Sequence, residues 1–363
     1  MMIRCSQSDK PIVTVPNVVP QVHVYGRQSG TTRFFLSDNP ETISSATTSF
    51  TNGFATLWHD SVRGRKRVQY RLFVWHLNKT GAPITFGVTV ENASCGRPIR
   101  VRQVKHSIGV IADFPALGRC SAKALLGRTL APLIPGDRSI RGGQTGLVKE
   151  WLVPDGELVG GVMEFTLSSP KELDYRVRTV AANRPGADVR LNHTPVVPAY
   201  RTPEGKSHPR GSWDFADIEG FADPACSQPV TYVAGSGSMN FAIHNGGNDN
   251  LMTAAASYDP ANAEVANKGH YGVIYKLNLA LCNPHPRRKT VTVYLTGRGG
   301  PYAGAVRWNR GRTYGVPRLS PAVEAVEAAT VTIPARRTVA CAVYASTAGA
   351  YSTPAAVLCV TRE

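Results

Sequence analysis

No apolar run in the chain approaches the roughly 18 residues that a membrane-spanning helix needs, and the opening Met1-Met2-Ile3-Arg4-Cys5 lacks the apolar centre of a signal peptide. Read alone, the chain therefore shows neither a membrane span nor an address. Acidic residues are the second scarcity: 25 Asp and Glu stand against 41 Lys and Arg in 363 residues. Only 18% of residues are charged while 42% are hydrophobic, which excludes wholesale disorder and leaves ample material for cores. The seven cysteines contain no C-x-x-C pair, so neither a zinc ribbon nor a thioredoxin-type motif is supported. An odd number leaves at least one thiol unpaired. The nine histidines show no HExxH and no HxH. No metal and no cofactor are expected on motif grounds.

Helical periodicity is also sparse. What is abundant is Gly (34) and Pro (26), punctuating short runs rich in Val, Tyr, Phe and Thr. That is the pattern of an all-β protein of sandwich type. The clearest expected strands are 68–76, 84–92, 159–166, 271–281, 290–295, 329–333 and 338–345, and in the fourth Tyr275, Leu277, Leu279 and Leu281 alternate as one buried face. One helix is expected over 121–130, capped by Ser121, with a second short one conceivable over 322–328. Segments 70–92 and 275–295 resemble each other, as do 151–163 and 332–343, and 33–39 has a possible counterpart in 240–246. The expectation is two tandem, related β-sandwiches of Ig-like or jelly-roll-like type, over 1–180 and 231–363. They are joined by a long Pro-dotted connection over 181–230, and the short helix belongs to the first.

Candidate sites follow from residue chemistry. Asp38, Asn39 and Glu41, in Ser37-Asp-Asn-Pro-Glu41, offer two carboxylates and an amide after a strand, suited to a turn or to a hard cation or sugar. The connection holds a polar and aromatic knot of His208, Arg210, Trp213 and Asp217, which serves either ligand binding or docking of the linker, with Arg210 paired to Asp217 and Trp213 buried. The run 244–250 lacks EF-hand spacing and reads as a turn. Gly235-Ser-Gly-Ser-Met only partly imitates a nucleophile elbow. No catalytic residue is assigned.

Charge is the remaining signal. The formal net charge is +16, and Arg63, Arg65, Lys66 and Arg67, then Arg287, Arg288 and Lys289, then Arg307, Arg310 and Arg312, form the densest clusters. Such clusters attract polyanions. Nucleic acid fits the charge but lacks a supporting motif or an aromatic stacking stripe.

The stretches RFFLSDNPE (33–41), RLFVWHLNKTGAPITFGVTVEN (71–92), HPRGSW with Ala216-Asp217 (208–217), NKGHYGVIYKLNLAL (267–281) and GRGGPYAGAV (297–306) together resemble a family of uncharacterised secreted β-rich proteins of Gram-positive spore formers. That family is known through an attached copper-amine-oxidase-like N-terminal (stalk) domain. The resemblance covers most of the chain and implies a secreted or envelope location, but it brings no catalytic residue. The Asn-Tyr dipeptide from which a copper amine oxidase builds its quinone does not occur here. The expected role is a non-enzymatic, extracellular or cell-envelope binding or structural protein. Its cationic surface would take acidic or glycan wall polymers, and self-association through sheet edges is open to it. The alternative is a carbohydrate-active hydrolase using paired carboxylates, Asp38 with Glu41 or Asp214 with Asp217, near the groove between the sandwiches.

Overall fold

Along residues 67–75 the side chains alternate Arg67, Gln69, Arg71, Phe73, Trp75 on one side and Val68, Tyr70, Leu72, Val74 on the other. A period of two dictates a strand whose two faces meet different surroundings. The computed structural model describes residues 9–17, 21–94 and 96–362, and this strand is its spine.

In chain order the strands are β1 (Ile12–Thr14), β2 (Gln21–His23), β3 (Tyr25–Ser29), β4 (Arg33–Ser37), β5 (Thr42–Ile43), β6 (Phe54–Asn78), β7 (Ile84–Asn92), β8 (Ile99–Ile111), β9 (Ala131–Pro132), β10 (Ser139–Ile140), β11 (Thr145–Val153) and β12 (Leu158–Ala182). They continue with β13 (Arg210–Trp213), β14 (Asp217–Phe221), β15 (Val230–Val233), β16 (Met239–Ile243), β17 (Ile274–Asn283), β18 (Lys289–Gly297), β19 (Tyr302–Trp308), β20 (Thr313–Leu319), β21 (Glu324–Ile333), β22 (Arg337–Thr347) and β23 (Ala355–Arg362). The one α-helix among the described residues, α1, spans Phe114–Gly127. The protein is all-β, of sandwich type.

Three sheets form. The first runs β10-β8-β12-β6-β4-β13. Here β12 pairs with β6 along its whole length, with β8 over residues 158–168 and with β7 over 175–182, so one long bent pair serves two layers. Its interior packs Tyr70, Leu72 and Val74 against Phe86, Val88 and Val90. The other two sheets run β20-β19-β22-β17-β14-β3 and β1-β21-β18-β23-β16-β2, enclosing Leu277, Leu279, Val291, Val293 and Val357. That core is continuous with Phe34, Phe73, Trp75 and Trp213, so the second face of β6 is covered by the C-terminal half.

The pairing scheme recurs in the two halves. β6 pairs with β12 and β7 with β11, as β17 pairs with β22 and β18 with β21. The expected counterpart of 33–39 differs: β4 runs parallel beside β6, and the strands parallel to β17 are β14 and β15, whereas β16 pairs with β23.

Three expectations need correction. The expected boundaries 1–180, 181–230 and 231–363 do not follow the pairing: β1, β2 and β3 join sheets of the C-terminal half, and the connection contributes β13 and β14. The helix begins earlier than 121, because Asp113 accepts a hydrogen bond from the Ala116 amide and proline occupies the first turn, while Ser121 is buried mid-helix. It packs against β8, β12, β19, β20 and β22, thus against both halves. Residues 324–328 are strand, because pairing with β18 buries Ala325 and Val326 and overrides local helix preference.

Candidate functional site

Two places combine polar side chains with accessible space. The first is a cationic ledge on the outer end of the first sheet. Residues directly opposite on neighbouring strands share a face. The rows are Arg67–Ser168–Arg100, Gln69–Thr166–Arg102 and Arg71–Glu164–Lys105, and the same face continues to Phe73 and Trp75. The register of β8 shifts between Arg102 and Lys105, opposite Thr166 and Glu164, a bulge that keeps both cations on that face.

Further along, the C-terminal half closes over this face. Arg71 donates to Glu164 at 2.8 Å, to Asp217 at 2.6 Å and to the Ala216 carbonyl at 2.9 Å, locking the halves together. Beyond Arg71 the cover stops. Arg67, Arg100 and Arg102 are exposed and form no ion pair among the described residues. Arg67 stands between a groove of about 600 Å³ that also holds Arg33, Arg65, Asp214 and Tyr258, and one of about 500 Å³ that holds Lys105 and Glu164. Of these neighbours Arg33 is neutralised by Asp60 and Lys105 by Glu164, whereas Arg63, Arg65 and Lys66 are exposed and have no ion pair among the described residues.

The other expected clusters sit elsewhere. Arg287, Arg288 and Lys289 lie at the β17–β18 turn, where Asn283 binds the Arg287 carbonyl. Arg307 donates to the Leu126 carbonyl at the end of α1 and stacks over Tyr344, a helix-capping role.

The second place is a cleft of about 370 Å³ between the halves, lined by Asp38, Glu41, Phe73, Trp75, His208, Tyr271 and residues 349–352. The segment after β4 supplies the carboxylates, and the segment before β13 supplies the imidazole. His208 Nε2 lies 2.9 Å from Glu41 and its Nδ1 3.5 Å from Asp38. Asn39 fastens the two segments: its amide donates to Ser207 Oγ and to the carbonyls of Tyr200 and His208, and its oxygen accepts from the Tyr200 amide. Burial pushes the Asp38 carboxyl up to about 7, against the pull of His208. The hydrogen bonds to Asp38 and then Glu41 raise His208 to about 10.

Behind this trio His76 is fully buried and lowered to about 4 by desolvation, so it is neutral. Its Nδ1 donates to the Pro40 carbonyl at 2.7 Å, which leaves Nε2 to accept from Ser37 Oγ at 2.8 Å. The other cleft wall is aromatic. Phe73 stacks on Trp75 and on Tyr271, and Tyr271 donates to the Tyr351 carbonyl at 2.6 Å.

Four of the seven expected ligand-binding residues, Asp38, Asn39, Glu41 and His208, are thus brought together. The other three are not in the cleft. Arg210 is buried and bonded to the carbonyls of Asn262, Leu57 and Val197, and burial lowers it to about 10. The expected Arg210–Asp217 pair does not form, because Asp217 is taken by Arg71. Trp213 is buried as expected, stacked on Phe34 and donating to the Thr253 carbonyl. Asp214 is exposed in the groove beside Arg65. Sequence reasoning missed Arg100, Arg102, Trp75 and Tyr271; the alternation through 67–75 was the available signal for the shared face.

Cys120 is disulfide-bonded, whereas Cys226, Cys282, Cys341 and Cys359 are free thiols; Cys5 and Cys95 lie outside the described residues. No helix of the described residues is long and apolar enough to cross a membrane.

No family model matches the chain, and no curated protein matches it. Among solved structures it is similar to the CUB1-EGF-CUB2 domain of human MASP-1/3, at 7% identity over 84% of this chain and 99% of that one, with a TM-score of 0.18. A salicylate 1,2-dioxygenase from Pseudaminobacter salicylatoxidans follows at 9% identity, 83% and 69% coverage and TM-score 0.12. Lac15 from a marine microbial metagenome gives 10% identity, 91% and 60% coverage and TM-score 0.11. Likenesses this slight carry no argument.

Proposed function

We propose that the protein is a non-catalytic binder of acidic polymers, acting outside the cell or at the cell envelope, with the Arg67–Arg100–Arg102 ledge as its contact surface. The observation that carries this reading is the uncovered sheet face on which these three arginines stand without ion-pair partners among the described residues. Strand geometry sets their spacing: about 7 Å between Arg100 and Arg102 along one strand, and about 10 Å from Arg100 to Arg67 across two. Repeating phosphate or carboxylate groups on a flexible polymer match such distances, and Arg forks engage them bidentately. The disulfide at Cys120 supports an oxidising compartment. Wall-linked anionic glycans and phosphodiester polymers are the favoured class. Nucleic acid would meet the same charges with the exposed Tyr258 of the adjoining groove beside them, but with no stripe of exposed aromatics among the described residues of the ledge.

A hydrolytic reading would use Asp38 and Glu41. In its favour, one ligand atom from each, together with one from His208, all lie within 4.8 Å of one another. Against it, the imidazole engages both carboxyl groups and occupies the space that a glycosidic bond would need.

Co-sedimentation with isolated Gram-positive cell walls, intact and stripped of anionic polymer, at low and high salt, tests the proposal. Binding that disappears on stripping and weakens with salt is expected. Equal binding to stripped walls, or none to either, overturns it.

A further inference from the structure

The chain carries +16 overall, yet among the described residues no Lys or Arg lines the cleft that holds Asp38, Glu41 and His208. Two carboxylates and an imidazole converge there from segments distant in sequence, and their donor atoms all lie within 4.8 Å of one another. Acidic side chains gather at many surfaces without a ligand, so the arrangement needs independent support.

That support comes from Asp38. The residue is 4% exposed, and its Oδ1 has no hydrogen-bond partner among the described residues. A buried carboxylate oxygen left unpaired is costly, of the order of 1–3 kcal/mol or more. A divalent cation that displaces the His208 proton and sits between the three side chains would satisfy it.

The surroundings are those of a prepared site. Asn39, between the two carboxylates, spends its whole side chain tying their segment to the one bearing His208. His76 holds the intervening Pro40 carbonyl from behind, in turn oriented by Ser37 and Thr179. Such outer contacts fix ligand geometry before an ion arrives. One side of the trio faces the aromatic cleft, which leaves room for a further ligand.

We propose that Asp38, Glu41 and His208 form a binding site for one divalent first-row transition ion, zinc foremost, with its remaining coordination position open to the cleft between the halves. One borderline imidazole with two hard carboxylates suits zinc, manganese or iron; calcium takes 6–8 oxygens and magnesium an octahedral oxygen set. This site is separate from the cationic ledge and does not depend on polymer binding there.

The test is zinc titration of the full chain after chelator treatment, by calorimetry and by equilibrium dialysis with elemental analysis. One ion per chain is expected, with a rise in the thermal midpoint. Glu41→Gln, an isosteric change at a partly exposed position, and Asp38→Asn each weaken binding by more than about 100-fold, exceeding the loss typical of an outer contact. Circular dichroism establishes that both variants are folded. Absence of zinc uptake by the folded wild-type chain overturns the site, as does uptake unchanged in both variants, which would place the ion on other histidines or thiols. Calcium binding as tight as zinc overturns the assigned class of ion.

Discussion

His244 Nδ1 and His270 Nδ1 lie 3.0 Å apart with both rings fully buried, so one donates to the other and both are neutral. Neither Nε2 has a partner among the described residues, and Tyr275 packs against both rings. Burial lowers His270 to about 3 and His244 well below the ordinary imidazole value.

The pair makes the fold acid-sensitive. In the unfolded chain each imidazole takes up a proton near 6.5, whereas in the folded chain it does not. The stability they allow is therefore complete above pH 6.5 and is lost as pH falls below it, at up to about 1.4 kcal/mol per pH unit per histidine. Asp249 and Asp38, both raised to about 7, act in the opposite sense over about pH 4–7, because the folded state then holds the extra proton. The informative measurement is thus a comparison. Urea unfolding of His244→Asn/His270→Asn against wild type, from pH 7 to 4.5, shows a slope reduced by up to about two protons. Asn suits both sites, where φ is +49° and +50°. Parallel slopes would mean that the pair is already protonated or accessible.

The ledge predicts a salt law. Each arginine that releases a counterion contributes about one to the slope of log affinity against log salt. Arg67→Ala/Arg100→Ala/Arg102→Ala therefore lowers that slope by about three for a polyanionic bead or wall polymer. The fold is unaffected, since none of the three has an ion pair among the described residues. Substituting Arg287, Arg288 and Lys289 instead changes the slope less if the ledge is the principal contact. Equal losses from both triples would mean that binding reads net charge alone.

Arg210 is a framing residue for the backbone. Arg210→Met leaves the carbonyls of Leu57, Val197 and Asn262 without their donor and costs about 3 kcal/mol or more. Coupling measured by double-mutant cycles is near zero for Arg210 with Asp217 and about 1 kcal/mol or more for Arg71 with Asp217. Coupling of the first pair would contradict the arrangement.

Gly118 in α1 sits against the loop that closes the cleft. A Cβ there would meet the Gly349 oxygen at 2.6 Å and the Ala348 Cβ at 3.2 Å. Alanine's helix advantage of about 1 kcal/mol is outweighed by overpacking of about 1–3 kcal/mol. A lowered thermal midpoint for Gly118→Ala is expected; an unchanged or raised one would show that the loop yields easily.

Much of the architecture was legible where a local signal and the final surroundings agree. The alternation through 275–281 specifies β17, and the matched runs at 70–92 and 275–295 mark strands with matched pairing. Legibility failed where a distant partner decides. Residues 324–328 look helical until β18 is beside them. Asp217 has two arginines within reach in principle, and only the folded chain chooses Arg71. The cleft was half visible: Asp38 and His208 were each recognised as candidates, but nothing local says that a turn after β4 meets a segment before β13. Phe73 and Trp75 look like core residues from sequence, and they are buried; their position at a seam is a tertiary fact.

The pairing of Ile12 with Val326, and of Tyr25 with Phe221, has a consequence for the order of assembly. Strands made earlier thus wait for partners made later, β1 for β21 and β3 for β14. Until then the edges of β14 and β21 stay open, and an open edge invites pairing with another chain. Synthesis of this protein therefore has an interval in which the nascent chain is vulnerable to aggregation, and it closes only when the N-terminal strands dock.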